Sequence, residues 1–503
     1  GEAGPGKTAL LRHFAQHAQR EHLRLIVVGG RCSAFAGLGE PLLPFREILQ
    51  SLTGETQGGW TGVHGDPEQV RRLLGSLPQT SKDLLAEAPG LVGRLVSAKS
   101  LVGYAGPLGE GDVLSLQPAS GKKTIIEAPF DQETIFGQVT RVLQVIARRQ
   151  PLLLLIDDLQ WADLASLSLL FHLGRALARS RILVLGAYRP SEIATFSMPL
   201  AGKGRKMSLP DQQAEAKGHP LEAILQEFAR MWGDIQVDLD QTDGRHFVDA
   251  LLDSEPNALG EGFRNRLTRH TGGHALFTIE LLRAFEEQGH LTPDEEGRWA
   301  ADPGLHWGGL PPKVEAVIGK RIGRLSHEER RLLEAASVDG ESFSAEVVAS
   351  ALGAEPSWAL QWLSGPLSDE SRLVQAVGVQ SLPANGRSVS RYRFAHALFQ
   401  EYLYSHIDNV NRAHLHSKVG VALEGFFQDD EVALAQISPK LARHFAEANQ
   451  PMAAARYCLM AGRWAVRLAA YDEAIAHLEH GLTLLTGMSD SHERLTLELG
   501  LCT

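Results

Sequence analysis

The sequence predicts an α/β domain built on an open parallel sheet, followed by a mostly helical remainder. Three observations carry this. A glycine-rich loop, GEAGPGKT, runs directly into an apolar-faced helix. Two apolar runs, LRLIVVGGRCS at 23–33 and LLLLIDD at 152–158, read as strands buried on both faces. Further along, apolar residues recur mainly at helical spacing.

The opening loop fills the pattern G-x-x-x-x-G-K-[ST] with Gly1, Gly6, Lys7 and Thr8. Glycines let the backbone curl so that its N–H groups point at a phosphate. Lys7 is expected to reach the β- and γ-phosphates, and the Thr8 hydroxyl to ligate Mg²⁺. Gly1, Gly4, Gly6, Lys7, Thr8 and Ala9 are therefore the candidate nucleotide-binding residues. The helix TALLRHFAQHAQ, with Leu10, Leu11 and Phe14 expected on one face, aims its positive end at the phosphates. The alternative is a glycine-rich turn that only caps a helix. Pro5 lacks an N–H and removes one donor, worth about 1.5–3 kcal/mol toward a charged group. The chain opens inside the motif. The strand that presents such a loop is expected to lie outside this sequence, which is expected to be an incomplete gene product.

The second strand ends in Asp157-Asp158. Ligands of open α/β sheets bind beyond the carboxyl ends of the strands. Asp157 is thus a candidate metal ligand with Thr8, and Asp158 a candidate for orienting or deprotonating the attacking water. Two acids in a solvated turn are the alternative. The next strand, RILVLGAYRP, ends in Arg189, placed to stabilise charge on the γ-phosphate or else to sit at the surface before Pro190. With a helix at 133–149, the order becomes loop, helix, strand, insert, helix, strand, helix, strand.

Residues 52–130 read as an irregular insert, helical in part at 68–97 and loop-like in VGYAGPLGEGDVLSLQPASGKK. A polar break, SMPLAGKGRKMSLPDQQAEAKGHP, follows the sheet, and IQVDLD at 235–240 reads as a short strand. Helices follow around HFVDALLDS and EGFRNRLTRHTGGHALFTIELLRAFEEQG, with Gly272 and Gly273 allowing a close approach. From Leu310 come two helices, the second capped by Ser326 with Glu329. Two more helices and the strand-like SRLVQAV then suggest a winged helix, which either binds DNA or only packs within the chain. The last stretch is helical, with Ala461, Gly462, Ala465 and Ala474 at expected helix contacts. Such pairs build either a solenoid or a bundle. The expected divisions are 1–200 for the sheet domain with its insert, 201–309 for an all-α lid, 310–425 for the winged helix and 426–503 for solenoid repeats.

Composition narrows the function. Hydrophobic residues are 44% and charged residues 22% of 503 residues, an ordinary globular balance. The net charge of −11, from 60 acidic and 49 basic residues, disfavours non-specific nucleic-acid binding. Cys32, Cys458 and Cys502 are too scattered for a disulfide framework or a zinc cluster, which fits the cytoplasm. No apolar run reaches membrane-spanning length, so no membrane partner is expected.

Together these stretches resemble bacterial signalling ATPases of the STAND class. More narrowly, they resemble the AAA-type ATPase domain with winged helix and tetratricopeptide repeats, found in large bacterial regulators and in cyclase-linked proteins. GEAGPGKT, LLLLIDDLQWAD, GAYRP, TGGHALFTIELL, LPPKVEAVI, RFAHALFQEYLY and YDEAIAHLEHGL carry the resemblance, which is weakest in the insert. It implies an α/β P-loop NTPase whose Gly6, Lys7 and Thr8 bind phosphate and Mg²⁺. Asp157 and Asp158 would serve metal and water, and Arg189 would be the sensor arginine. A family Gly-x-Pro element near the adenine matches GGHAL, where Ala275 replaces the proline. His396 is the candidate for a histidine that touches the phosphates and locks the ADP state; the alternative is a satisfied core histidine.

The expected function is an ATP-binding, slowly hydrolysing switch with ATP/ADP and Mg²⁺ as cofactors. A protein or small-molecule signal would act on the repeats, and a covalently linked effector would lie outside this chain. The alternatives are an interaction scaffold with structural, non-hydrolysed nucleotide, and a DNA-binding regulator, which the acidic charge disfavours.

Overall fold

The computed structural model describes residues 6–32, 40–55, 67–97, 101, 131–194, 218–239, 244–302, 305, 307, 314–381 and 388–503. The first region holds α1 (Lys7–Glu21), β1 (Ile26–Arg31), α2 (Leu43–Leu52), α3 (Pro67–Glu87), α4 (Gln132–Arg149), β2 (Leu152–Asp157), α5 (Leu164–Ala176), β3 (Ile182–Gly186) and α6 (Pro190–Ala194). Among the described residues its sheet is parallel, in the order β1-β2-β3. Strand alternation divides the apolar residues cleanly. Val27, Leu153 and Leu155 pack on Leu11 and Ala15 of α1, while Ile26, Val28, Leu152, Leu154 and Ile156 join the core on the other face. Both faces are covered, as continuous apolar strands require. Leu10 and Phe14 do not share the face of Leu11. They are 48% and 40% exposed, because Leu11 and Ala15 form the i, i+4 stripe that meets the sheet. The loop-like insert stretch at 102–123 and most of the break at 197–220 lie outside the described residues.

A helical region follows: α7 (Pro220–Trp232), α8 (Gly244–Leu252), α9 (Glu261–Thr271) and α10 (Ala275–Glu287). The strand expected at 235–240 is not one. Ile235–Leu239 form no strand among the described residues, which do not include Asp240, and Val237 is 79% exposed. The region is also not all helical. β4 (Leu291–Pro293) and β5 (Trp299–Ala301) form an antiparallel hairpin, its Leu291 buried in the core made by α8–α10. Gly273 has φ 73°, and a Cβ there would lie 2.2 Å from the Gly244 Cα. The glycine thus lets the turn before α10 press against the start of α8.

Next come α11 (Val314–Ile322), α12 (His327–Asp339), β6 (Ser342–Ser344), α13 (Ala345–Leu352), α14 (Pro356–Ser364), β7 (Val374–Ser381), β8 (Ser388–Phe394), α15 (Ala397–His406) and α16 (Asn409–Phe427). Ser326 and Glu329 form the expected capping box on α12. The sheet is antiparallel with order β6-β8-β7. Its core continues through α16 into Leu441, Phe445, Tyr457 and Cys458 of the final helices. Those are α17 (Glu431–Glu447), α18 (Pro451–Arg467), α19 (Tyr471–Leu485) and α20 (His492–Cys502), each packed on its predecessor. Ala461, Ala465 and Ala474 are buried, and a Cβ on Gly462 would meet Leu478 at 2.8 Å.

The final helices also fold back onto the first region. Trp464, Ala465, Leu468, Ala469, Ala470 and Ala474 share one core with β1, β2, α4 and α5. Buried Arg94 donates to the carbonyl oxygens of Arg467 (3.0 Å) and Gly90 (2.9 Å). Glu473 accepts from the Ala165 N–H at 2.9 Å, at the start of α5. Burial, then Asp163 and more weakly Asp472, hold the Glu473 carboxyl above its usual range. An acid whose folded pKa is raised resists ionisation. The stability it contributes is therefore fullest below the ordinary carboxylate range and is lost as pH rises through the raised value, although the Ala165 N–H itself favours the ionised form. Glu473→Gln mimics the protonated form. It should raise the melting temperature at pH 8 by about 1–2 °C per kcal/mol, the scaling for a chain of this length, and change little at pH 5. Parallel pH profiles for the two proteins would contradict this.

Candidate functional site

The loop and the acidic strand meet at the carboxyl end of the sheet. Gly6, the N-cap of α1, has φ 98°, a conformation that glycine adopts at no steric cost. Lys7, Thr8 and Ala9 form the first turn of α1, where the helix presents unpaired N–H groups and its positive pole. The Thr8 hydroxyl donates to Asp157 Oδ2 at 2.7 Å, across 149 residues of sequence. Asp157 is 2% exposed at the end of β2. A hydroxyl and a carboxylate oxygen at a helix N-terminus are a hard-oxygen donor set that suits Mg²⁺. Gly1, Gly4 and Pro5 lie outside the described residues.

Asp158 sits at φ 58°, in the left-handed region, which costs an ordinary residue about 1–2 kcal/mol and which Asp tolerates better than most. Burial, then Asp157 and Glu341, push its carboxyl above the usual range, while Gln160 and Arg189 oppose that. Sequence reasoning missed Gln160, although it lies inside the LIDDLQWAD stretch. Its Nε2 donates to Asp158 Oδ1 (3.0 Å), and its Oε1 accepts from the Arg189 N–H (3.0 Å). Its carbonyl accepts from His219 Nε2 at 3.0 Å; His219 Nδ1 takes the Leu221 N–H, so Nε2 carries the proton. One buried amide thus ties the candidate base to the candidate sensor. The signal for it was a polar residue in a run whose neighbours Leu159 and Trp161 are apolar.

Arg189 is 7% exposed. It donates to Glu192 at 2.6 Å, lies 3.9 Å from Glu401 of α15, and stacks 4.9 Å from the Trp161 ring centroid. The surface alternative for Arg189 does not hold. Trp161, like Gln160, was not singled out. Asp163, the last residue of LIDDLQWAD, caps α5 by accepting from the Ser166 N–H at 2.8 Å.

The helical regions close on the same place. A Cβ built on Gly6 would lie 3.9 Å from the Ala275 Cβ, so the start of α10 stands against the last glycine of the loop. His274, the N-cap of α10, was missed; its Nδ1 accepts from the Phe277 N–H, which leaves Nε2–H as a donor. His396 caps α15 in the same way, its Nδ1 accepting from the Leu398 N–H at 3.1 Å. Burial first, then Arg189, His274 and Lys7, push the His396 imidazole down to about 4. It is a neutral ring with one N–H donor, near the loop lysine and Arg189. Among the described residues no cluster of three or more His, Cys, Asp or Glu side chains could hold a metal without help, and no helix is long and apolar enough to cross a membrane.

Comparison with known proteins agrees with this geometry. An uncharacterized protein of Rhizobium meliloti (strain 1021) is 23% identical to the chain over 99% of its length. The chain spans 41% of that relative. The family model for an AAA ATPase domain matches residues 1–185, the stretch that holds α1, the three parallel strands and the Thr8–Asp157 contact. That match and the loop–carboxylate geometry together support an AAA-type ATPase.

Proposed function

We propose that the chain is an ATP-dependent switch that hydrolyses its nucleotide slowly. The observation that carries the reading is the 2.7 Å contact of Thr8 with Asp157, which brings the loop hydroxyl and the strand-end carboxylate together. Gly6, Lys7, Thr8 and Ala9 would hold the phosphates, joined by Gly1 and Gly4. Thr8 and Asp157 would hold Mg²⁺, which neutralises charge between the β- and γ-phosphates when bound. Asp158, oriented by Gln160, accepts the proton of the attacking water. Its raised pKa brings it nearer to the operating pH, as a general base requires. Arg189 stabilises charge that spreads over the γ-phosphate. His396 offers a neutral N–H to a phosphate oxygen and links α15 to nucleotide state.

The switch reading draws on the regions that surround this site. The order α12–β6–α13–α14–β7–β8 supports a winged helix. Its helix α14, PSWALQWLS, carries no basic residue, which favours packing over DNA contact. The successive helices α17–α20 support a tetratricopeptide-like array that takes a protein or small-molecule signal. Exchange of ADP for ATP would release contacts such as Arg189–Glu401 and rearrange the array. A linked effector, transcriptional or cyclase, would read that change. The free cysteines fit a cytoplasmic location.

A second reading is favoured by Ala275, which stands where the resemblance expects a proline. There the nucleotide is structural and the array is a scaffold. Phosphate release separates the two. Under the switch reading Asp158→Asn abolishes a measurable parent rate; under the scaffold reading the parent has no rate to lose.

A further inference from the structure

Charged groups from two distant parts of the chain crowd the Asp157 side of the site. Arg31 ends β1, and strand register sets it beside Asp157. Its N–H is held by Glu47 of α2 at 2.9 Å, and its guanidinium lies 4.0 Å from Glu341, just before β6. The Glu341 carbonyl accepts from the Phe394 N–H, which fixes it to β8. Arg393, the residue before Phe394, faces Ser342 in the β6–β8 ladder. It is 8% exposed. Its Nη2 donates to Gln375 at 2.8 Å, and its Nε has no acceptor among the described residues. Burial, then Arg31 and Arg12, push its pKa down to about 8, with Glu341 and Asp157 opposing.

The register of Arg31 with Asp157, the 4.0 Å approach of Arg31 to Glu341 and the β6–β8 ladder thus bring Arg393 toward the Asp157 end of the site, where Arg12 and Arg31 add further positive charge to its surroundings. Buried like charges are costly unless an anion completes the set. Gln375 is a neutral partner and does not offset the charge of Arg393. A group bearing several negative oxygens does, and the planar guanidinium fork suits a phosphate. The Asp157 end of the site is where metal and γ-phosphate belong. We propose that Arg393 recognises the γ-phosphate of ATP, so that the second sheet distinguishes ATP from ADP. This rests on the ATP reading above. Arg393 and His396 then offer donors from one strand-to-helix turn, between β8 and α15.

The test is calorimetric titration of the parent and Arg393→Gln with ADP and with a non-hydrolysable ATP analogue, both with Mg²⁺. The proposal expects affinity for the ATP analogue to fall about 10- to 100-fold, with ADP affinity changed less than threefold. Arg393→Lys, which keeps the charge and loses the fork, should restore part of the preference. It also serves as the test variant if the glutamine protein fails to fold. Equal losses for both nucleotides, or no loss, would overturn the proposal. Lys7→Ala is the control for the underlying reading and should weaken both nucleotides. A parent that binds neither nucleotide overturns the ATP reading and this inference with it. A parent that binds both, with an unchanged ratio in the Arg393 variants, overturns this inference alone.

Discussion

Trp464→Ala is expected to destabilise the protein by about 3–5 kcal/mol, the range for deleting a buried large aromatic. The indole is 1% exposed. It lies in a core to which β1, β2, α4, α5 and the final helices all contribute, so the cavity would open between distant parts of the chain. Its Nε1 has no hydrogen-bond partner, so the loss is one of packing and not of a polar contact. The effect should also be local in kind. Because α18 and α19 share this core with α5, α19 should detach from α5 first. Urea unfolding measures the free energy, and hydrogen exchange at the N-terminus of α5 reports the detachment. A loss under about 1 kcal/mol, with exchange unchanged there, would mean that the fold-back contributes little.

Asp158→Asn is expected to lower turnover by about 10²- to 10⁴-fold, the usual contribution of a positioned general base. The substitution keeps shape. Gln160 Nε2 can still donate to the remaining carbonyl oxygen, and the turn at φ 58° suits Asn as well as Asp. What disappears is the proton acceptor. Affinity should hold or improve, because Thr8 and Asp157 are untouched and one buried negative charge near the phosphates is gone. A variant that loses affinity and rate together would place Asp158 in binding and not in proton transfer.

Much of this site was legible because its chemistry is local to short stretches. Spacing alone named Lys7 and Thr8, and strand logic named Asp157; the fold then brought Thr8 and Asp157 to 2.7 Å. The capping box at Ser326 and the small residues of the last helices were legible for the same reason. Arg31, Glu341, Arg393 and His274 were not. His274 and Arg393 lie inside stretches that carry the resemblance, but their contacts, like those of Arg31 and Glu341, come from register and from packing between units far apart in sequence. The strand expected at 235–240 failed in the complementary way. Its alternation is genuine, but a strand also needs an edge to pair with, and among the described residues Ile235–Leu239 pair with none. Leu10 and Phe14 teach a related lesson. Helical spacing groups residues into stripes but does not say which stripe the sheet covers.

The central claim is that the first turn of α1 and the end of β2 form one Mg²⁺·ATP site. Its most direct test is equilibrium titration of the parent and Lys7→Ala with ATP in the presence of Mg²⁺. The account predicts saturable one-site binding by the parent and a loss of about 10- to 100-fold in Lys7→Ala, with the fold unchanged by circular dichroism. Equal ATP affinity in the two proteins would contradict it.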